Sequence, residues 1–219
     1  VRMYYMSRMR LDPTKRKTMI ALADPNLFHG AIEHAFSGES GRTLWRIDAL
    51  GGKIYLLLVS EQRPMLQHAV EQFGFPQEGN GWETKEYDGF LEKVPEGSRW
   101  HFRLVAFPTH SVLVGKDTQG KRGKVYPHVT PEYQKKWLLS RSEKHGFSLN
   151  EDEFQVVQDR SYFFRKSYEP KHRVSLLSVT FEGILQVTDP GRFRALLTEG
   201  IGRGKAYGLG MMTIAGKIQ

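Results

Sequence analysis

An order of elements that occurs twice is what most constrains this chain. Met3, Tyr5, Met9 and Leu11 fall on one face of an opening strand, with Arg8 and Arg10 on the other. Asp24-Pro25 supplies a cap and a first helical residue. The helix predicted behind it runs to about Phe36 and buries Leu27, Phe28, Ala31, Ile32, Ala35 and Phe36. Two strands, 43–50 and 53–59, are joined through Gly51-Gly52, a hairpin signal. Pro64 opens a second helix, with Leu66, Ala69, Val70 and Phe73 at helical spacing and Gly74 as its stop. A short strand, 82–87, ends the series.

Residues 89–97 read as a linker, with Pro95 inside it, and then the order returns. A strand covers 99–107, with Trp100, Phe102, Leu104 and Ala106 on one face. Thr130-Pro131 opens a helix to about Lys144. Long strands follow at 154–166 and 173–187, and Asp189-Pro190 opens a last helix that buries Phe193, Leu196 and Leu197. An apolar strand beginning near Leu209 closes the unit. Strand–helix–strand–strand–helix–strand is the order of a ferredoxin-like fold. The expectation is therefore an α+β chain of two tandem ferredoxin-like modules, residues 1–92 and 93–219. The repeat rests on element order, because the two halves share no evident sequence identity.

Charge narrows the function. The 219 residues carry a formal net charge of +8, which favours acidic partners, nucleic acid before an anionic membrane. No apolar run approaches the ~20 residues of a membrane span, so no membrane role is expected. There is no cysteine, which removes disulfides, thiolate metal sites and thiol nucleophiles together, and a cytoplasmic setting fits.

The stretch from Gly200 to Gly210 holds Gly200, Gly202, Gly204, Gly208 and Gly210 with Arg203 and Lys205. Bare amides beside cations suit a phosphate. It is not a Walker A loop, since Glu199 stands where the first glycine belongs and Ala206 where Ser or Thr belongs. Nor is it a dinucleotide fingerprint, since Tyr207 replaces a glycine and the loop follows a helix instead of opening one. Gly202, Arg203, Gly204 and Lys205 are expected to hold the phosphate of a polyanion. Two further basic clusters lie on predicted loops: Lys116, Lys121, Arg122 and Lys124 before the helix at Thr130, and Arg165, Lys166, Lys171 and Arg173 between the long strands.

The histidines differ in setting. His68, His101 and His145 sit at exposed or alternating positions, while His110, His128 and His172 lie in basic loops. His29 and His34 share the first helix, and His29 sits one turn in, beside the apolar stripe. A helix N-terminus disfavours the imidazolium, so an imidazole there can relay protons near pH 7. No HExxH pattern appears, and the pair His29 and Glu33 lacks convergent partners, so no metal is expected. Glu151-Asp152-Glu153 reads as a solvated turn. No nucleophile elbow supports a serine triad. Acid–base chemistry on an RNA phosphodiester remains, where the 2′-hydroxyl is the nucleophile and the protein moves protons and neutralises charge.

These residues resemble the CRISPR precursor-RNA endoribonucleases of the Cascade type, the CasE family of the RAMP superfamily. The resemblance spans the whole chain. It is carried by Asn26-Leu27-Phe28-His29-Gly30-Ala31, by Phe102 to Thr109, by Val179-Thr180-Phe181-Glu182-Gly183 with Val187 to Pro190, and by Gly200 to Gly210 running into Met211-Met212-Thr213. It implies two RAMP modules that bind a CRISPR repeat hairpin and cut precursor RNA at the 3′ side of the stem. The cut uses no metal or other cofactor and leaves a 2′,3′-cyclic phosphate and a 5′-hydroxyl. It further implies that the guide RNA is retained beside other Cascade subunits. The family's catalytic histidine falls on His29. The family's partner tyrosine falls on Asn26, which can orient a hydroxyl but cannot shuttle a proton; Tyr5 or a nearby lysine is open to that role. Two other readings fit part of the pattern: a non-catalytic RAMP subunit that scaffolds guide RNA, and a general single-stranded RNA binder.

Overall fold

The computed structural model describes residues 3–38, 41–79, 81–113, 123–166 and 169–218, with side chains except at residue 166 and residues 169–172. Two four-stranded antiparallel sheets organise it. The first contains β1 (Tyr5–Leu11), β2 (Leu44–Leu50), β3 (Lys53–Ser60) and β4 (Trp82–Glu86), in the order β2-β3-β1-β4. The second contains β5 (Arg99–Ala106), the long hairpin β8 (Phe147–Lys166) and β9 (Glu169–Val187), and β10 (Met211–Ile218), in the order β10-β5-β9-β8. Counted within each half, both orders are 4-1-3-2, so the repeat in element order is a repeat in topology.

Strands β1, β2 and β3 present their two faces to different layers. Met9, Leu11, Trp45, Leu56 and Leu58 pack against the helices α1 (Arg16–Ala23), α2 (Asn26–Glu33) and α3 (Gln67–Phe73), burying Phe28, Ile32, Ala69 and Phe73 with them. The opposite face sends Leu44, Leu57 and Val59 into the larger core of the second module. There, α5 (Pro131–Ser142) and α6 (Pro190–Glu199) lay Trp137, Leu138, Phe193 and Leu197 over Phe102, Leu104 and Phe181. The apolar interior is thus continuous from one module to the other.

The edges of the two sheets meet, and a buried arginine joins them. Arg46 on β2 is 2% exposed and forms a two-pronged ion pair with Asp48, at 2.8 Å to Oδ1 and 2.6 Å to Oδ2. Its guanidinium also donates to the carbonyls of Arg103 and Met211, each at 3.0 Å, and to Thr213 Oγ1 at 2.8 Å. Arg103 returns an ion pair to Asp48 and binds Glu182. A buried charge of this kind is held only where paired and fully hydrogen-bonded.

Four expectations are corrected. The helix predicted from Asp24 to Phe36 is shorter, Asn26–Glu33, with Pro25 ahead of it and Asp24 Oδ1 accepting from the Asn26 amide at 3.1 Å; Leu27 lies outside its buried stripe. An additional helix, α1, precedes it, its only buried residues being Thr18 and Ala21. The predicted linker contains a short helix α4 (Asp88–Leu91), and both Leu91 and Val94 are buried in the main core. A small hairpin, β6 (Thr109–Val112) and β7 (Lys124–Pro127), stands before α5. Among the described residues no helix is long and apolar enough to cross a membrane.

Candidate active site

Helix α2 is only eight residues long and keeps Phe28, Ala31 and Ile32 in the core, which fixes the rotation of its polar side. His29 falls at the boundary, one-third exposed, with Nε2 3.2 Å from Glu33 Oε1 one turn on. An Nε2–H donated to that carboxylate leaves Nδ1 as the free base, so Glu33 can set both ring orientation and tautomer. In the sequence this pair reads only as a failed metal motif. An orienting carboxylate is a second possibility, legible in the same spacing.

The glycine-rich loop closes on this helix from the far end of the chain. The Tyr207 ring centroid lies 6.4 Å from that of His29 and 5.0 Å from that of Phe164 on β8, with a T-shaped arrangement in each pair. Behind it, Gly208 (φ +78°) lies so close to Trp45 that a Cβ would sit 2.7 Å from the indole. At Gly210 (φ +89°) a Cβ would stand 2.4 Å from the Ile201 carbonyl oxygen. Both glycines permit a close approach within the protein. The amides of Gly200, Ile201, Tyr207, Gly208, Leu209 and Gly210 likewise donate to internal carbonyls. The two ends of the loop are architectural. The crest from Gly202 to Ala206, which holds Arg203, Gly204 and Lys205, keeps its backbone amides without an internal backbone acceptor among the described residues.

A cleft of about 410 Å³ results, lined by His29, Glu33, Arg42, Thr43, Lys205 and Ala206 over a floor of Ile32, Phe36 and Trp45. Burial first, then the positive charge of Arg42, holds the Lys205 ammonium below the ordinary lysine range, with Glu199 opposing. An imidazole, a carboxylate and two cations therefore face one space. That set can move a proton and neutralise a phosphate. Arg42, Glu33 and Tyr207 are additions that the sequence alone did not assign.

The other expected residues are distributed. Asn26 is half-buried on the first turn of α2 and does not line the cleft. Arg203 diverges from Lys205: it lines a separate concavity with His110, His128, Tyr133 and Arg141. Tyr5 is paired within β1, opposite Ser60 and Glu86. Arg165 and Arg173 are cross-strand partners on the exposed outer part of the β8–β9 hairpin. The side chains of Lys166 and Lys171 fall outside the described ones, as do residues Lys116, Lys121 and Arg122 entirely. Lys124 opens β7, with Nζ 5.5 Å above the Tyr126 ring. A concavity of about 580 Å³ lies elsewhere, on the second sheet beside Asp152, Glu153 and Glu182. Those carboxylates make it a poor place for a polyanion.

Comparison with known proteins bears on this arrangement as a whole. A family model described as "CRISPR associated protein" matches residues 4–216. The CRISPR-associated endoribonuclease Cse3 of Thermus thermophilus is 30% identical over 222 residues, covering 96% of this chain and 99% of the relative. A structure of Thermus thermophilus Cse3 bound to an RNA representing a pre-cleavage complex superposes with a TM-score of 0.75 at 28% identity, covering 98% of this chain and 100% of that one. A chain of a CRISPR RNA-guided surveillance complex, at 20% identity and a TM-score of 0.68, covers 95% of this chain and 99% of its own, and shares the fold.

Proposed function

The chain belongs to the CRISPR-associated protein family, and from that premise we propose that it is an endoribonuclease that binds a CRISPR repeat stem-loop and cuts it on the 3′ side of the stem. The observation that carries this reading is the cleft where His29, Arg42 and Lys205 converge from three separate segments of the chain. Its relative over nearly full length is an endoribonuclease by name.

In the reaction the 2′-hydroxyl attacks the adjacent phosphorus and the 5′-oxygen leaves, giving a 2′,3′-cyclic phosphate and a 5′-hydroxyl. His29 moves a proton, a role worth about 10²–10⁴-fold. Glu33 holds the imidazole in one tautomer, and Tyr207 braces the ring from the side. Lys205 and Arg42 sit where charge builds on the non-bridging oxygens, a contribution realised most fully in the transition state. Asn26, at the position of the family's tyrosine, supplies no proton. None of these steps calls on a metal.

Stem recognition falls to Arg165 and Arg173, and with them Lys166 and Lys171. A-form RNA hides its base edges in a deep major groove, so cations on a projecting hairpin read phosphates and shape. Lys116, Lys121, Arg122 and Lys124 are proposed as a second contact. Modules 1–92 and 93–219 act as one unit in this reading. The product stays bound as a guide within a Cascade complex, in the cytoplasm.

The deciding assay uses end-labelled repeat RNA in EDTA. One defined cut, with a cyclic phosphate at its 3′ end, is expected. A stable uncut complex would instead favour the scaffold reading, and a strict magnesium requirement would refute the chemistry.

A further inference from the structure

Four aromatic rings stand in a row where β6 and β7 meet α5. His110 on β6 faces Tyr126 on β7 as a cross-strand pair, with ring centroids 6.1 Å apart and planes 29° apart. The His110 ring lies 4.7 Å from that of His128 at 34°. His128 in turn lies 6.0 Å from Tyr133, with planes only 14° apart. This is not a core. Tyr126 is 37% exposed, Tyr133 is 55% exposed, and His110 is exposed as well. Three of the four rings belong to exposed residues, and exposed aromatic rings are what an unpaired base stacks against.

The charge around the row has one predominant sign. Lys124 Nζ lies 5.5 Å over the Tyr126 ring and Lys136 Nζ 5.5 Å over that of Tyr133. Lys136 is also paired with Glu132 at 2.5 Å. The concavity beside the row, about 470 Å³, is lined by Arg141 and Arg203 and by no carboxylate. Burial, then the charges of neighbouring His110 and Arg141, hold the His128 imidazole below its ordinary range, which keeps an uncharged ring in the middle of the row.

Position connects this platform to the cleft of His29. Arg203 and Lys205 are two residues apart on the crest of the same loop, one lining each site. Two residues of chain span at most about 7 Å. A strand leaving the cleft over the loop crest would pass from Lys205 to Arg203 on its way to the rings.

We propose that the Tyr126–His110–His128–Tyr133 row is a binding site for unpaired RNA adjoining the stem, with bases stacked on the rings and phosphates against Arg141 and Arg203. This rests on the RNA-processing reading above. Fluorescence anisotropy at fixed salt tests it with three RNAs: the bare stem-loop, and the stem-loop with an unpaired 5′ or 3′ flank. The wild-type protein is expected to bind one flanked RNA more tightly than the bare stem-loop, by between about 5-fold and 150-fold for each stacked base. Tyr133→Ala and His110→Ala should erase most of that increment, while Tyr133→Phe keeps it. A flank that adds no affinity to the wild-type protein overturns the site while leaving stem binding intact. So does an equal loss on bare and flanked RNA in the alanine variants. If none of the three RNAs binds, the functional reading fails and the site falls with it.

Discussion

His29 and Lys205 bear different loads, and single substitutions should separate them. His29→Ala removes the proton carrier and leaves the cations in place. Cleavage of the repeat RNA is expected to fall by about 10²–10⁴-fold, with stem-loop affinity in a binding titration nearly unchanged. Full activity in that variant would remove His29 from the mechanism. Lys205 is held as a cation in a place that disfavours the charge. Its folded-state pKa lies below the unfolded value, so the unfolded chain binds the proton more tightly, and stability rises with pH through the window between the lowered value and the ordinary 10.5. Lys205→Met should therefore raise the thermal midpoint at neutral pH. The same variant should weaken RNA binding and flatten its salt dependence by a slope of about 1. An unchanged slope would mean that Lys205 meets no phosphate.

At the scale of elements, glycines separate into those that packing demands and those it does not. Gly210→Ala must hold a left-handed backbone, at about 1–3 kcal/mol, and also pushes on the Ile201 carbonyl. Chemical denaturation should show it destabilised, with cleavage lost because the loop no longer braces His29. Gly30 is the opposite case. It lies inside α2 with open space where a Cβ would go, so Gly30→Ala should stabilise the protein by about 0.5–1 kcal/mol. A loss of stability there would contradict the helix as described. Elements with local punctuation were legible in the sequence. Asp189 ahead of Pro190 does cap α6, accepting from the Arg192 amide at 3.0 Å, and Gly51-Gly52 does join β2 to β3. Helix α1 was not legible, because it buries only Thr18 and Ala21 and so shows no apolar stripe. The cleft was half legible. His29 stood out by its place on a helix, whereas Arg42 and Tyr207 join it only through tertiary folding, which no local pattern records.

For the molecule as a whole, the Arg46 node decides whether two modules behave as one. Arg46→Ala would strip Asp48 of its main partner and free the carbonyls of Arg103 and Met211 at the seam. Breaking a buried pair in this way costs about 3–5 kcal/mol, so urea unfolding should shift to much lower concentration. Replacing both partners, Arg46→Leu with Asp48→Leu, should recover much of that loss, because no buried charge then remains unpaired and Arg103 keeps Glu182. If the double variant is no better than the single one, the node is not a coupled pair. This joint also has a consequence for synthesis. A ribosome makes Arg46 and His29 early, but their partners Met211, Thr213 and Lys205 emerge more than 150 residues later. Until then the guanidinium stays hydrated, the seam stays open and the cleft has only one wall. A nascent chain released after Glu199 should therefore bind no repeat RNA productively, and the nuclease acquires its activity only when translation has passed the final strand.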